Sequence, residues 1–336
     1  MAPLVNPNSL MKSNKNELQR LRSGLNNNTN AYRLIHGDAD GWKRLYVDRL
    51  ADYLLIQSSQ SITQKQKEAV QLWQRKLNSK AIYFKRLNRQ IQKSTKKSAT
   101  AKLLYGNKAP QTFEATELML RYKLSLNEGY STGLFLDMRD NRQRILNKLI
   151  EPDFPLFECF SGTPKVLNTF SYTCSLSVCA AKTGAITTSI DLSKKYLDWG
   201  QKNFQLNDIN PNDHNFIYGD TLEWMKRLTK KKELYDLVIL DPPTFSRSKI
   251  SGIFQAKQHY SLLVKTASNL VRKNGIILAC TNASTLTSTN FSFDLHKGIH
   301  QGGRKIIQIF HAVQPIDFPS NQKEPAHLKA SWLKLN

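Results

Sequence analysis

From Lys165 onward, short apolar and β-branched runs alternate with segments of helical period, and no other feature restricts the fold as much. The runs 165–169, 185–190, 215–218, 235–240 and 275–281 read as strands, and 175–182, 194–207, 221–228 and 254–272 read as helices. Parallel neighbours need crossover connections, so this order predicts an α/β fold with a mainly parallel sheet and helices on both faces. Two further runs, 305–310 and 327–333, bring the sheet to seven strands. The polar link 314–325 between them predicts an antiparallel hairpin at the sheet edge.

Upstream the pattern changes. Residues 32–35 read as a strand, 36–41 as a turn, and 45–47 and 53–57 as hairpin strands. A helix over 64–77 and a strand over 81–84 complete a small α+β unit. The segment 1–30 is a polar extension in which 16–25 has the pattern of a short helix. The expected division is an extension at 1–30, an α+β unit with a basic linker at 31–110, and a larger α/β domain at 111–336 led in by a hairpin at 114–142.

The chain carries 49 Lys and Arg against 26 Asp and Glu, a formal net charge of +23. That surplus suits a polyanionic partner better than a neutral metabolite. Between Phe84 and Glu114, Lys85, Arg86, Arg89, Lys93, Lys96, Lys97, Lys102 and Lys108 occur with no acidic residue. The run is either a phosphate-facing segment or a solvated, charged loop. Cys159, Cys174, Cys179 and Cys280 form no C-x-x-C pair, and His296 and His300 have no third ligand close in sequence, so no metal site is expected. No apolar run reaches the roughly 18 residues of a transmembrane helix, and residues 1–13 lack the apolar core of a signal peptide. A cytoplasmic protein without a membrane role is expected.

In a doubly wound sheet, ligands bind beyond the carboxyl ends of the strands. After the first strand comes Asn168-Thr169-Phe170-Ser171-Tyr172-Thr173-Cys174, rich in small hydroxyl residues and unlike the dinucleotide fingerprint G-x-G-x-x-G. Asp191 ends the second strand, where a carboxylate accepts ribose hydroxyls or caps the helix that follows Ser193. Asp220, after the third strand, faces the same choice between a purine amine and a helix cap. After the fourth comes Asp241-Pro242-Pro243-Thr244-Phe245. The prolines fix an extended, donor-poor turn that can present Asp241 beside a flat substrate. Phe245 is then either a stacking face or a core residue.

Three segments resemble one family. They are 130–142 (YSTGLFLDMRDNR), 166–173 (VLNTFSYT) and 240–248 (LDPPTFSRS). They are similar to the class I S-adenosylmethionine-dependent methyltransferases that modify bacterial large-subunit ribosomal RNA. The likeness is nearest to the type that methylates nitrogen 7 of a guanine, and it runs from about Glu114 to the C-terminus. The resemblance implies a Rossmann-like class I methyltransferase fold, S-adenosylmethionine as cofactor, and RNA, in particular large-subunit rRNA, as partner. It implies that Thr132, Gly133, Asp137 and Arg139 contribute to the cofactor site with Asn168, Phe170, Ser171, Tyr172 and Thr173. It further implies ribose and adenine roles for Asp191, Leu192, Ser193, Asp220 and Thr221. Asp241, Pro242, Pro243 and Phe245 would stand at the target base, with Asp241 also on the cofactor. Cys174 stands where the family loop has glycine, which implies an altered turn or a narrower nucleotide pocket. Residues 32–57 also resemble the small central domain of the cytosine-5 rRNA methyltransferases, whose N-terminal PUA domain finds no counterpart in 1–31.

Cytosine-5 methylation needs a covalent nucleophile, normally a thiolate. In the cytosine-5 relatives that cysteine follows the fifth strand. Here Asn282 takes its place, as in the guanine-specific relatives, and Cys280 lies two residues earlier. Guanine nitrogen 7 has a lone pair and no proton to lose, so placement against the methyl donor is enough, with Asn282 orienting the base. The leading expectation is an RNA guanine methyltransferase. The alternatives are a cytosine-5 enzyme using Cys280 and a non-catalytic RNA-binding or ribosome-assembly protein on the same fold.

Overall fold

Helix and strand boundaries follow from local chemistry in the computed structural model, which describes residues 25, 28–87, 100–128, 131–157, 162–248 and 252–336. The expected helix at 16–25, all but Leu25, and the middle of the basic run, with Arg89, Lys93, Lys96 and Lys97, lie outside them. The chain divides into two units. The first holds the described residues up to Leu136 together with Pro315–Pro325, and the second holds Asp137–Gln314 and Ala326–Asn336.

The first unit contains a five-stranded sheet in chain order: β1 (Ala31–His36), β2 (Tyr46–Leu50), β3 (Tyr53–Ser58), β4 (Ala81–Arg86) and β5 (Lys102–Gly106). Only β3 and β4 are parallel, and α1 (Gln64–Lys76) makes their crossover. A reciprocal capping box between Thr63 and Gln66 starts that helix, and Val70 and Trp73 are its buried face. They close a core with Leu34, Val47, Leu54, Ile56 and Ile82.

The described ends of the basic run, Lys85 and Arg86 in β4 and Lys102 in β5, belong to strands that pair antiparallel within the first unit. Lys85 is no phosphate-facing residue. It is 2% exposed in β4, and burial lowers its ammonium to about 8 despite the nearby Asp48 charge. The hairpin of β6 (Phe113–Glu117) and β7 (Leu120–Leu124) also falls in this unit, tied by Asn30, whose amide donates to the Thr116 carbonyl at 2.8 Å while its side-chain oxygen accepts from the Thr116 amide at 2.7 Å. The division therefore comes after Leu136 and not after residue 110. The link expected to be a plain edge connection, 315–325, is also part of this unit. Asp317 Oδ2 accepts from the Arg33 amide at 2.9 Å, the Phe318 ring lies under the Arg33 guanidinium at 4.6 Å, and Glu324 accepts from the Tyr46 hydroxyl at 2.7 Å.

The second unit begins with α2 (Arg139–Asn147), followed by a small β8–β9 pair (Leu149–Glu151, Phe154–Pro155). The main strands are β10 (Lys165–Thr169), β11 (Ile186–Asp191), β12 (Asn215–Tyr218), β13 (Tyr235–Leu240), β16 (Val271–Thr281), β17 (Ile306–Ala312) and β18 (Lys329–Leu335), in the order β12-β11-β10-β13-β16-β18-β17. The first five are mutually parallel, and β18 is antiparallel to both neighbours. The expected hairpin exists, but its second strand inserts inside its first. Helices α3 (Ser175–Lys182), α4 (Lys194–Leu206), α5 (Thr221–Lys230), α6 (Ala256–Ser268) and α7 (Ser288–Gln301) cover the sheet. β13 is buried at all six positions, as a strand covered on both faces must be.

Three local differences from expectation have physical causes. The helix expected to end at residue 272 ends at Ser268, because Val271 already pairs with Tyr235. The register then shifts around Asn274 (φ 61°) and Gly275, where a Cβ would meet the Asp236 carbonyl at 3.2 Å. Phe254, expected in the same helix, belongs to β15 (Gly252–Gln255), which pairs antiparallel with β14 (Phe245–Ser248). Helix α7 was not anticipated, although Phe291, Leu295, Gly298 and Ile299 form its buried stripe.

Candidate functional site

Loops at the carboxyl ends of β10, β11, β12 and β13 build the site. In the first, Phe170, Tyr172 and Cys174 all have left-handed backbones (φ 55°, 48° and 61°), and none is glycine. Such a loop persists only where its surroundings over-determine it. Here the Ser171 amide donates to the Ile190 carbonyl at 2.9 Å, the Cys174 amide to the Ser171 carbonyl at 2.8 Å, and the Tyr172 amide to Asp191 Oδ2 at 2.8 Å. Asp191 Oδ1 accepts from the Ser193 amide at 2.8 Å, so one carboxylate ties two loops together. It is not the cap of α4. Ser193 is, accepting from the Tyr196 amide at 3.3 Å. Burial raises the Asp191 carboxyl, and the two backbone donors oppose the shift.

The Cys174 side chain is fully buried and turns toward α4, where a Cβ on Gly200 would come within 2.5 Å of its sulfur. The thiol thus occupies space left by a glycine and does not line the nucleotide cleft. Burial pushes it up to about 12. Asn168 is also turned inward, donating to Ser177 Oγ at 2.8 Å, and Ser171 and Thr173 are buried. These residues support the loop from beneath.

Phe170, Leu192, Asp220, Thr221, Leu222 and Phe254 line a shallow cleft that opens to solvent, and Ser246, Ser248 and Gly252 of the β14–β15 hairpin complete its wall. The Phe170 and Phe254 rings lie 6.0 Å apart. Asp220 caps α5, accepting from the Glu223 amide at 3.1 Å. Thr221 is 2% exposed, and its hydroxyl has no hydrogen-bond partner among the described residues. Apolar walls, a carboxylate at the rim and an unsatisfied hydroxyl fit a flat heterocycle with polar edges.

Beyond β13, Pro242 is buried, while Pro243, Thr244 and Phe245 are exposed, Phe245 by 39%. It is not a core residue. The Thr244 hydroxyl donates to Asn282 Oδ1 at 3.2 Å, which brings the end of β16 against this turn. Asp241 is partly buried, with no hydrogen bond to its carboxylate among the described residues. Burial, and secondarily the Asp137 charge, raise it to about 7. His327 Nε2 lies 2.9 Å from Asp137 Oδ2. Cys280 is 0% exposed, and burial holds its thiol neutral, well above the ordinary range. Among the described residues no group of three side chains could hold a metal ion, and no helix is long and apolar enough to cross a membrane.

The structure thus gathers Phe170, Leu192, Asp220 and Thr221 in one cleft, and Asp241, Phe245 and Asn282 around one turn. Thr132 and Gly133 belong to the first unit, and Arg139 is buried in the first turn of α2. Sequence reasoning missed Phe254, Leu222, the Thr244–Asn282 bond and His327. An aromatic and two serines just beyond the proline turn were the available sign of the hairpin wall. Nothing in the sequence links His327 to Asp137.

A model of the S-adenosylmethionine-dependent methyltransferase family matches residues 32–330. A ribosomal RNA large subunit methyltransferase K/L of Legionella pneumophila is 34% identical over 279 residues, covering 81% of this chain and 36% of that protein. The Psychrobacter cryohalolentis protein of the same name is 37% identical over 191 residues, 51% of this chain and 23% of its own length. The chain thus spans about a third or less of these relatives. A methyltransferase solved with SAH superposes with a TM-score of 0.81 at 27% identity, covering 99% of this chain and 83% of that one. A structure described as a SAM-dependent methyltransferase from Streptococcus mutans gives 0.79 at 26% identity over the same shares. With the family pattern running through nearly all of both units, the chain belongs to the S-adenosylmethionine-dependent methyltransferases.

Proposed function

We propose that this protein methylates a guanine in ribosomal RNA, with S-adenosylmethionine as methyl donor. The observation that carries this reading is the turn after β13, where Asp241, an exposed Phe245 and the Thr244–Asn282 pair converge while β14 continues into the cleft wall. In this reading Leu192, Leu222 and Phe170 enclose adenine, and Thr221 and Asp220 meet its polar edge. Asp191, with Ser193, faces the ribose across the loop Ser171-Tyr172-Thr173 that its carboxylate holds. Asp137 and Arg139 serve the remainder of the cofactor. The bound donor supplies an electrophilic methyl group. The chain's own residues hold the base: Phe245 stacks on it, Pro242 and Pro243 keep the turn rigid, and Asn282 and Asp241 hydrogen-bond its edge. Stacking of this kind contributes about 1–3 kcal/mol.

Support for RNA comes from the +23 charge, from the names of the curated relatives and from the basic β4–β5 connection, to which we assign RNA contact by the small unit. The same reading has the enzyme acting in the cytoplasm, on large-subunit rRNA. Cytosine-5 chemistry is disfavoured by the buried, neutral Cys280 thiol.

Incubation of unmodified large-subunit rRNA with the protein and isotope-labelled donor, followed by nucleoside mass spectrometry, tests the reading. Label is expected in a methylguanosine, and label in 5-methylcytidine would overturn it. Trapping with 5-fluorocytidine RNA is expected to give no covalent adduct. Binding to RNA should weaken at least tenfold between about 50 and 200 mM salt, as phosphate contacts require.

A further inference from the structure

The β14–β15 hairpin has two faces, and its register sorts the residues between them. Phe245 pairs with Gln255, Ser246 with Phe254, Arg247 with Ile253 and Ser248 with Gly252. Successive side chains of a strand point to opposite faces, and directly paired residues share one. Ser246, Ser248, Gly252 and Phe254 form the inner face, which lines the cleft. The outer face carries Phe245, Arg247, Ile253 and Gln255, and the first three are exposed. The Arg247 side chain makes no hydrogen bond or ion pair among the described residues. The ribbon is held at its base, where the Ala256 amide donates to the Thr244 carbonyl at 3.1 Å and the Gln255 amide to His259 Nδ1 at 3.0 Å. The Phe254 ring, 6.0 Å from Phe170, fixes the inner face against the loop after β10. From Pro242 to Phe293 the sequence has no acidic residue, so nothing on this stretch of chain opposes the charge of Arg247.

We propose that this outer face docks single-stranded RNA and takes the nucleotide beside the target base, with the Arg247 guanidinium on a phosphate and Ile253 against the flanking base. The inference rests on the RNA reading given above. Phe245 and Arg247 stand two positions apart on one strand, about 6–7 Å. The face therefore begins at the residue assigned to the target base and continues past it. Arg247 and Ile253 are direct cross-strand partners, which sets a cation and an apolar surface side by side. An unpaired nucleotide offers the matching pair, an anionic phosphate and a base whose flat side is free. The acid-free stretch from Pro242 to Phe293 favours such a polyanion over a protein partner on the same face. Because its base is pinned, the ribbon presents these groups without having to be ordered by the ligand.

Binding of unmodified large-subunit rRNA to the full chain, followed from about 50 to 200 mM salt, provides the test. Arg247→Gln should weaken binding and lower the slope of log affinity against log salt by about 0.7, the loss of one single-strand phosphate contact. Arg247→Lys keeps the charge and should keep the slope. Ile253→Ser removes apolar contact and no charge, so binding should weaken roughly fivefold with the slope unchanged. All three variants should bind S-adenosylmethionine in calorimetry as the wild type does, since the inner face is untouched. Ile307→Ser, at an exposed position of β17, should alter neither ligand. An unchanged slope in Arg247→Gln, or unchanged RNA affinity in Ile253→Ser, overturns the assignment. So does a change in oligomeric state in Ile253→Ser without a change in RNA binding, which would mark the face as a protein contact. Should one of these variants not fold, the other decides. A wild type that neither binds nor methylates RNA overturns the RNA reading along with the inference. A wild type that does both, with variants that bind RNA alike, overturns the inference only.

Discussion

Asp241 links the chemistry of the site to the stability of the fold. An unfolded aspartate ionises near pH 4, while in the folded protein it keeps its proton up to about 7. Between those values the folded state binds more protons than the unfolded one, so stability contributed at this position falls as pH rises. Asp241→Asn should therefore flatten the decline between about pH 4 and 7 and raise stability at pH 8 by about 1–3 kcal/mol, while reducing methyl transfer. Urea melts at several pH values check the sign, and a variant less stable at pH 8 would contradict it. Cys174 offers a second residue-scale test. The thiol fits because position 200 has no side chain. Gly200→Ala should destabilise the protein by about 1–3 kcal/mol through overpacking, and Cys174→Ala should recover most of that loss in the double variant. A thermal double-mutant cycle measures the coupling, and additive effects would show that the two positions do not share the space.

At the scale of elements, legibility in the sequence follows burial. Residues 235–240 and 275–281 read as strands because a strand covered on both faces is apolar almost throughout. Asp191 and Asp220 were legible as loop carboxylates, since strand ends in such a sheet point at ligands. The β14–β15 hairpin was not, because each of its strands has four residues and one side is open to the cleft. Nor was α7, whose buried stripe runs among Asp294, His296, Lys297 and His300. Pairings such as His327 with Asp137 are set by three-dimensional closure and leave no local pattern. Helix α7 also supplies a test of its own packing. A Cβ at Gly298 would lie 2.5 Å from the Ser261 carbonyl of α6, a backbone atom that cannot turn aside. Gly298→Ala should force the two helices apart and cost about 1–3 kcal/mol, read as a lowered urea midpoint with an unchanged slope.

For the whole molecule, the segment 315–325 decides what can be separated. Asp317 is fully buried and Phe318 nearly so, both in the unit that otherwise ends at Leu136. Asp317→Ala should leave the Arg33 amide without its acceptor and lower the melting temperature by several degrees, since an orphaned buried donor costs about 1–3 kcal/mol. A fragment that stops at Leu136 lacks both residues and should be less protected from proteolysis than the same residues in the full chain. The chain thus enters its second unit, leaves it for eleven residues and returns. For a gene, this means that no single crossover can exchange the small unit for another. A recombination event would have to replace two distant stretches at once and keep them matched, so the two units are expected to have been inherited together, their histories diverging by point substitution and not by shuffling.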